Sequence, residues 1–159
     1  YAQRVLGFSA QEYSLILLSG GALALAFMVP SGHWVDRLKS PRWFLVGGFA
    51  VCGAALFYFP WVKSVPEALV TAGLMGVSYA IILPAWNATL AKSVTQEQRG
   101  GLWGIFMTVE GIGIALGPIA GGFLSDHLGA NAPFLTSAAI ICALALAYVV
   151  IPIREGENV

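Results

Sequence analysis

The sequence predicts an all-α membrane protein with about five transmembrane helices, on the basis of three observations. Hydrophobic residues make up 58% of the 159 residues and charged residues only 10%, whereas a soluble domain carries about 25% charged residues. The few charges leave five apolar stretches between them, each long enough to cross the ~30 Å hydrocarbon core of a bilayer as a helix. The eight basic and eight acidic residues cancel and form no basic patch, so we expect no nucleic-acid partner.

The predicted spans follow one another along the whole chain. They cover residues 13–35, 43–62, 68–91, 100–125 and 133–153. Every other charge falls between them or at the ends, and Glu110 in the fourth span is the exception. A charge inside hydrocarbon is costly, so the charged residues mark the ends of the helices. Proline is favoured at the start of a helix, and Pro41 is therefore expected in the first turn of the second one.

The basic residues predict the orientation of the chain. One side of the predicted membrane holds six of them, and the other side holds only Arg4 and Lys63; the six are Arg37, Lys39, Arg42, Lys92, Arg99 and Arg154. The positive-inside rule makes the six-residue side cytoplasmic. We therefore expect a multi-pass protein of the cell membrane, with its amino end outside and its carboxyl end inside.

Glycine is concentrated inside the predicted spans, most densely in the fourth. Gly113, Gly117 and Gly121 are spaced four residues apart, which puts them on one smooth face of the helix. Pro118 removes a backbone donor beside this face and predicts a bend. The face is typical of tight packing against a neighbour, and a bend there is also typical of a helix that rocks against another. Both interpretations remain open at this stage.

No cofactor or metal is expected from the sequence. It contains none of the usual zinc-ligand, phosphate-loop or hydrolase motifs. Cys52 and Cys142 lie inside apolar spans, where cysteine behaves as a small hydrophobic residue. Nothing in the sequence indicates that their two helices touch, so no disulfide is predicted.

The connection between the first two spans carries a compact charged group. Gly32, Asp36, Arg37 and Arg42 lie within eleven residues of sequence, 32–42. Anchoring at the cytoplasmic face explains the basic residues but not the acid. The carboxylate of Asp36 is placed to reach a helix amino terminus or a neighbouring arginine.

These stretches together resemble the major facilitator superfamily of secondary transporters. The connection matches the family signature G-x-x-x-D-R with a later basic residue. The family's antiporter signature, G-x8-G-x3-G-P-x2-G-G, is matched in full by Gly104, Gly113, Gly117, Pro118, Gly121 and Gly122. Residues 84–88 and 96–100 also look like the link between the family's fourth and fifth helices. The combined match extends over the whole chain.

The resemblance implies that the chain is a fragment: most of one six-helix half, without its first helix. The pattern after Arg37 departs from the usual D-R-x-G-R, and Ala72 stands where an amino-terminal half often has arginine. Both departures favour the carboxyl half, helices eight to twelve, whereas the intact glycine–proline signature favours the amino half. We expect the carboxyl half. The missing half is then an obligatory partner.

The resemblance also implies a function, which is transport of a small molecule by alternating access. Proton coupling and export, as in drug and metabolite exporters, are favoured. Glu110 and Asn87 are the candidate coupling or substrate residues, and Arg99 is a candidate cytoplasmic loop residue. The alternative role for Glu110 is a structural carboxyl hydrogen-bonded to Asn87 or Thr108. Asp36, Arg37 and Arg42 are expected to stabilise one closed state at the cytoplasmic face.

Other classes of membrane protein remain as alternatives. A membrane-embedded enzyme needs clustered catalytic groups, and the only polar cluster surrounds Asp36. A non-transporting scaffold needs no buried acid, so Glu110 argues against it. A channel would show a charged ring or a carbonyl filter, and neither is visible in the sequence.

Overall fold

The structure, a computed structural model, describes residues 6–37, 40–92 and 99–150. These residues form five α-helices: α1 (Ala10–Arg37), α2 (Arg42–Tyr58), α3 (Val65–Lys92), α4 (Arg99–Leu128) and α5 (Ala132–Val150). A 3₁₀ turn, Phe59–Trp61, extends α2, and the described residues include no strand. Five segments are long and apolar enough to cross a membrane. The predicted all-α class with five apolar helices is confirmed.

The helices differ from the predicted spans at their ends. α1 and α3 begin at Ala10 and Val65 rather than at residues 13 and 68, and α4 ends at Leu128 rather than at residue 125. α2 begins at Arg42, and Pro41 is its N-cap residue. Pro41 therefore lies immediately before the first turn of α2 and not within it, as had been expected. Residues 151–153 of the fifth predicted span lie outside the described residues.

Two capping boxes explain the early starts of α1 and α3. The Glu12 carboxylate accepts hydrogen bonds from the backbone N–H and the hydroxyl of Ser9, both at 2.8 Å, and the Glu12 N–H donates back to Ser9 Oγ at 3.2 Å. At α3, the Glu67 N–H donates to Ser64 Oγ at 3.4 Å, and the Glu67 carboxylate accepts from the Lys63 N–H at 2.9 Å. This Ser-x-x-Glu pattern satisfies N–H groups that a helix start leaves unpaired.

The helices pack in the order α1, α3, α2, α5, α4, with each contacting the next. α1 and α3 run parallel, because Ile16 meets Ala68 near one end and Val35 meets Ala85 near the other. α2 runs the opposite way, with Leu45 in the same cluster as Val35. The end of α1 and the start of α2 therefore lie at one face of the bundle, which we call the motif face.

The backbones of α1 and α3 touch where they cross. A Cβ atom added to Gly76 would overlap the carbonyl of Gly20, and one added to Gly20 would lie 2.9 Å from the carbonyl oxygen of Ala72. A Cβ atom on Gly73 would lie 2.8 Å from Cδ1 of Leu23. Small residues permit this close approach, on which helix association in lipid depends.

α2 and α5 also form a close pair. A Cβ atom on Gly53 would lie 2.6 Å from Sγ of Cys142, and the rings of Phe59 and Phe134 stack at 4.9 Å between centroids. The sequence does not indicate that the helices carrying the two cysteines touch, yet Cys142 lies against Gly53, the residue after Cys52. Both cysteines are free thiols.

Candidate functional site

The charged connection is built on a hydrophobic cluster at the motif face. Val35 is 2% exposed and packs with Leu45 and Ala85. Asp36 and Arg37 follow Val35 directly and are exposed, because successive residues of a helix point about 100° apart. The apolar contact of Val35 therefore holds the end of α1 in place and leaves both charges outside the packed core.

Three of the four predicted gate residues, Gly32, Asp36 and Arg37, are not held by ion pairs or close packing to other described residues. Within the ranges that the structure describes, no ion pair joins Asp36 or Arg37 to another residue. A Cβ atom on Gly32 would meet nothing within 4 Å. The described part of the chain thus gives no structural reason for these three residue types.

Arg42, the fourth predicted gate residue, contacts another helix, α5. Its Nε donates to the carbonyl of Tyr148 and its Nη2 to the carbonyl of Val149. The guanidinium carbon also lies 5.8 Å from the ring centroid of Trp43. The last carbonyls of a helix have no helical donor and carry partial negative charge. Arg42 therefore caps α5 and fastens it to the start of α2, a contact that sequence spacing does not reveal.

The fourth helix presents its signature residues on two stripes rather than one. At about 100° per residue, Glu110, Gly113, Gly117 and Gly121 share one stripe. A second stripe, roughly 120° away around the helix axis, holds the remaining signature residues, Gly104, Pro118 and Gly122. A Cβ atom added to any of the five glycines would meet nothing within 4 Å.

Among the residues that the structure describes, none forms a hydrogen bond or ion pair with the carboxylate of Glu110. It is exposed on α4, and α4 packs chiefly against α5. The Thr108 hydroxyl donates to the carbonyl of Gly104 at 2.8 Å rather than to the Glu110 carboxylate. Asn87 is half-buried in α3, and α3 and α4 do not form a packed pair. The structure therefore does not bring Asn87 and Glu110 together.

Two further predictions concern the position of Arg99 and the absence of a metal site. Arg99 is the first residue of α4 rather than part of a connection. Across residues 6–37, 40–92 and 99–150, no group of three or more metal-ligating side chains occurs. The candidate site thus consists of two separate parts: the charged connection at the motif face and the Glu110 stripe of α4.

Comparison with known proteins shows the family. The sequence profile of the Major Facilitator Superfamily matches residues 1–159. The chain belongs to the Major Facilitator Superfamily. The resemblance seen in the two signatures is confirmed, and the chain is a multi-pass membrane protein. The family is one of transporters, which favours a transporter over an enzyme.

Curated relatives share a common name. The chain is 29% identical over 151 residues to a "Proton-coupled antiporter flippase LtaA" of Staphylococcus saprophyticus, and 32% identical over 151 residues to the protein of that name from Staphylococcus haemolyticus. A Staphylococcus aureus protein of that name is 28% identical over 153 residues. Each match covers 93% of this chain and 38% of the relative. The chain therefore spans about two fifths of the length of these relatives.

Proposed function

We propose that the chain forms most of one six-helix half of a proton-coupled secondary transporter, which moves a small molecule by alternating access. Family membership supports the transport class, and the name of the relatives supports proton coupling. The observation that carries the proposal is Glu110, the one charged residue of the fourth predicted span. We assign the carboxyl half, helices eight to twelve, and the missing half is the required partner.

The position of Glu110 is suited to proton coupling. A charged side chain at the bilayer centre costs at least ~2.5 kcal/mol on insertion scales. An exposed carboxyl on an apolar helix is therefore neutral, faces a water-filled cavity, or meets a partner from another segment. A group that binds and releases a proton as its surroundings alternate between these conditions couples proton movement to the conformational change.

The proposed substrate is an amphiphilic small molecule, and the proposed direction is export across the cell membrane. Amphiphiles include the compounds that drug exporters expel and the lipids that a flippase moves, and the relatives carry the name flippase. The orientation that fits the basic residues has the motif face in the cytoplasm. Asp36, Arg37 and Arg42 would then lie at the cytoplasmic gate, and Asn87 would line the substrate path.

Substitution of Glu110 in the intact reconstituted protein tests proton coupling. Glu110→Gln is expected to reduce proton flux driven by a substrate gradient by roughly tenfold or more, with expression unchanged. The measurement uses a pH-sensitive dye inside proteoliposomes, with a cationic fluorescent drug in one arm and a fluorescent lipid, followed by dithionite quenching, in the other. Asp126→Asn, at an exposed acid near the carboxyl end of α4, is the matched control.

The outcomes separate the functional classes. Wild-type proton flux in Glu110→Gln would reject Glu110 as the coupling residue. A folded wild-type protein that moves neither the drug nor the lipid would favour a non-transporting scaffold. Movement in only one arm identifies which kind of amphiphile the protein carries.

A further inference from the structure

α3 passes through a proline at a point where α1 packs against it. An α-helix pairs each backbone N–H with the carbonyl four residues earlier, and Pro84 has no N–H to donate. The carbonyl that loses its helical donor belongs to Ala80, which is 0% exposed. An unpaired carbonyl is costly in apolar surroundings that water does not reach. α3 therefore needs another donor at this position.

The replacement donor comes from α1. The hydroxyl of Ser31, a residue that is 2% exposed, donates to the carbonyl of Ala80. This hydrogen bond joins the two helices in the stretch between the Gly20–Gly76 crossing and the cluster around Val35. Ser31 directly precedes the segment that carries Gly32 and Asp36. The hydrogen bond between Ser31 and Ala80 is therefore adjacent in sequence to the charged connection.

The same hydroxyl has a second acceptor within its own helix. Ser31 Oγ lies 3.0 Å from the carbonyl oxygen of Met28. A serine hydroxyl carries one proton, so it fully satisfies only one of the two carbonyls at a time. If the hydroxyl turns to Met28, Ser31 remains paired, but the carbonyl of Ala80 is left without a donor. The two arrangements therefore differ mainly in their effect on α3.

We propose that Ser31 is a positioning residue: its hydroxyl replaces the donor that Pro84 removes from α3 and so latches the motif-face end of α1 to α3. Breaking the latch exposes the proline-weakened turn of α3 and frees the end of α1 that carries Asp36. The latch is a property of this chain, and it does not depend on the proposed transport function.

The test combines three substitutions in the intact protein, purified and reconstituted in nanodiscs. Ser31→Ala removes the donor, Ser31→Thr keeps a hydroxyl, and Pro84→Ala gives Ala80 a donor within α3. The measurement is backbone hydrogen exchange by mass spectrometry over residues 28–37 and 76–88. Ser31→Ala is expected to raise exchange there by about threefold or more, the scale of an interhelical hydrogen bond in a membrane protein. Ser31→Thr is expected to stay near wild type.

The double variant Ser31→Ala, Pro84→Ala distinguishes a latch from ordinary packing. With Pro84 replaced, loss of the Ser31 hydroxyl should have little effect on exchange. Ser78 is the matched control, because it is a buried serine of α3 whose hydroxyl donates to Leu74 of its own helix at 2.7 Å. Ser78→Ala should change exchange equally with or without Pro84.

Three results would overturn the latch. The first is that Ser31→Ala raises hydrogen exchange equally with and without Pro84. The second is that Ser78→Ala raises exchange over residues 28–37 and 76–88 as much as Ser31→Ala does. The third is that Ser31→Thr raises exchange as much as Ser31→Ala. If Ser31→Ala prevents folding, the double variant still decides the matter. Folding restored by Pro84→Ala supports the latch, and failure of both variants contradicts it.

Discussion

Arg42 shows how a single residue of the charged connection is used within this chain. Its guanidinium donates to two carbonyls of the last turn of α5, at the end of a helix where positive charge is favoured. Arg37 is five residues earlier at the same face and is exposed, with no ion pair to another described residue. The two arginines look alike in the sequence, but in the structure Arg42 joins two helices whereas Arg37 is exposed.

Replacement of Arg42 should therefore destabilise the protein. Arg42→Gln removes the charge and the two-point contact with α5, and we expect the free energy of unfolding to fall by about 1 to 2 kcal/mol. The measurement is denaturant unfolding of the intact protein in detergent, followed by circular dichroism. Arg37→Gln is the control and is expected to change stability little. Equal losses for the two variants would show that the α5 cap has no special weight.

At the scale of the helix, the glycines divide into two groups. Five of the eight glycines in α1, α2 and α3 lie close against a neighbouring helix, as Gly20 does against Gly76 and Gly48 against Ile82. Those of the α4 signature have open space around them. The α3 segment has the small-x-x-x-small spacing of Ala72 and Gly76, a recognisable packing pattern. Glycine is densest in α4, yet the close helix contacts seen within this chain are made by glycines of α1, α2 and α3.

A graded alanine series tests this division. Gly76→Ala would place a Cβ atom against the backbone of Gly20, which cannot yield without separating α1 from α3, so we expect a loss of about 1 to 3 kcal/mol in unfolding free energy. Gly48→Ala meets a flexible isoleucine side chain and should cost less. Gly111→Ala, in open space on α4, should be neutral or slightly stabilising, because alanine favours helix over glycine.

The same detergent unfolding measurement ranks the three variants. A Gly76→Ala protein as stable as Gly111→Ala would contradict the close crossing of α1 and α3. The order of the three losses, rather than their absolute size, is the decisive result.

At the scale of the whole molecule, four helices form a connected bundle and α4 stands at its edge. Glu110 and the α4 glycines face open space, as do Asp36 and Gly32 at the motif face. Apart from Arg42, which contacts α5, the residues that carry the family signatures thus make no packing contact with other described residues of this chain. The proposed other half accounts for this arrangement, because the surfaces between two halves must separate and meet again during alternating access.

Asp36 provides the test at this scale. Asp36→Asn should leave the unfolding free energy of the intact protein within about 0.5 kcal/mol of wild type, because no described residue pairs with the carboxylate. We expect it to lower the transport rate and to change the labelling of cysteines placed at the cytoplasmic face, since a charge contact in one closed state is lost. Asp126→Asn, near the end of α4, is the control. Unaltered transport and labelling would exclude Asp36 from the gate.

Much of the fold and part of the site could be predicted from the sequence. Five apolar stretches and their charged ends predict five helices, because lipid excludes charge and requires every backbone group to be paired within its segment. The two family signatures and the isolated Glu110 are likewise visible as residue patterns. The capping boxes at Ser9 and Ser64 were also readable as Ser-x-x-Glu, although the charge-based spans did not include them.

The tertiary structure alone decided which helices touch and which polar groups serve the bundle. The contacts of Arg42 with α5 and of Ser31 with Ala80 join residues far apart in the sequence. No local pattern encodes them, since each depends on the angle and register at which two helices pack. The sequence by itself determined that the chain crosses a membrane as helices and belongs with a family of transporters. Only packing determined that Arg42 fastens helices together while Asp36 and Glu110 remain exposed.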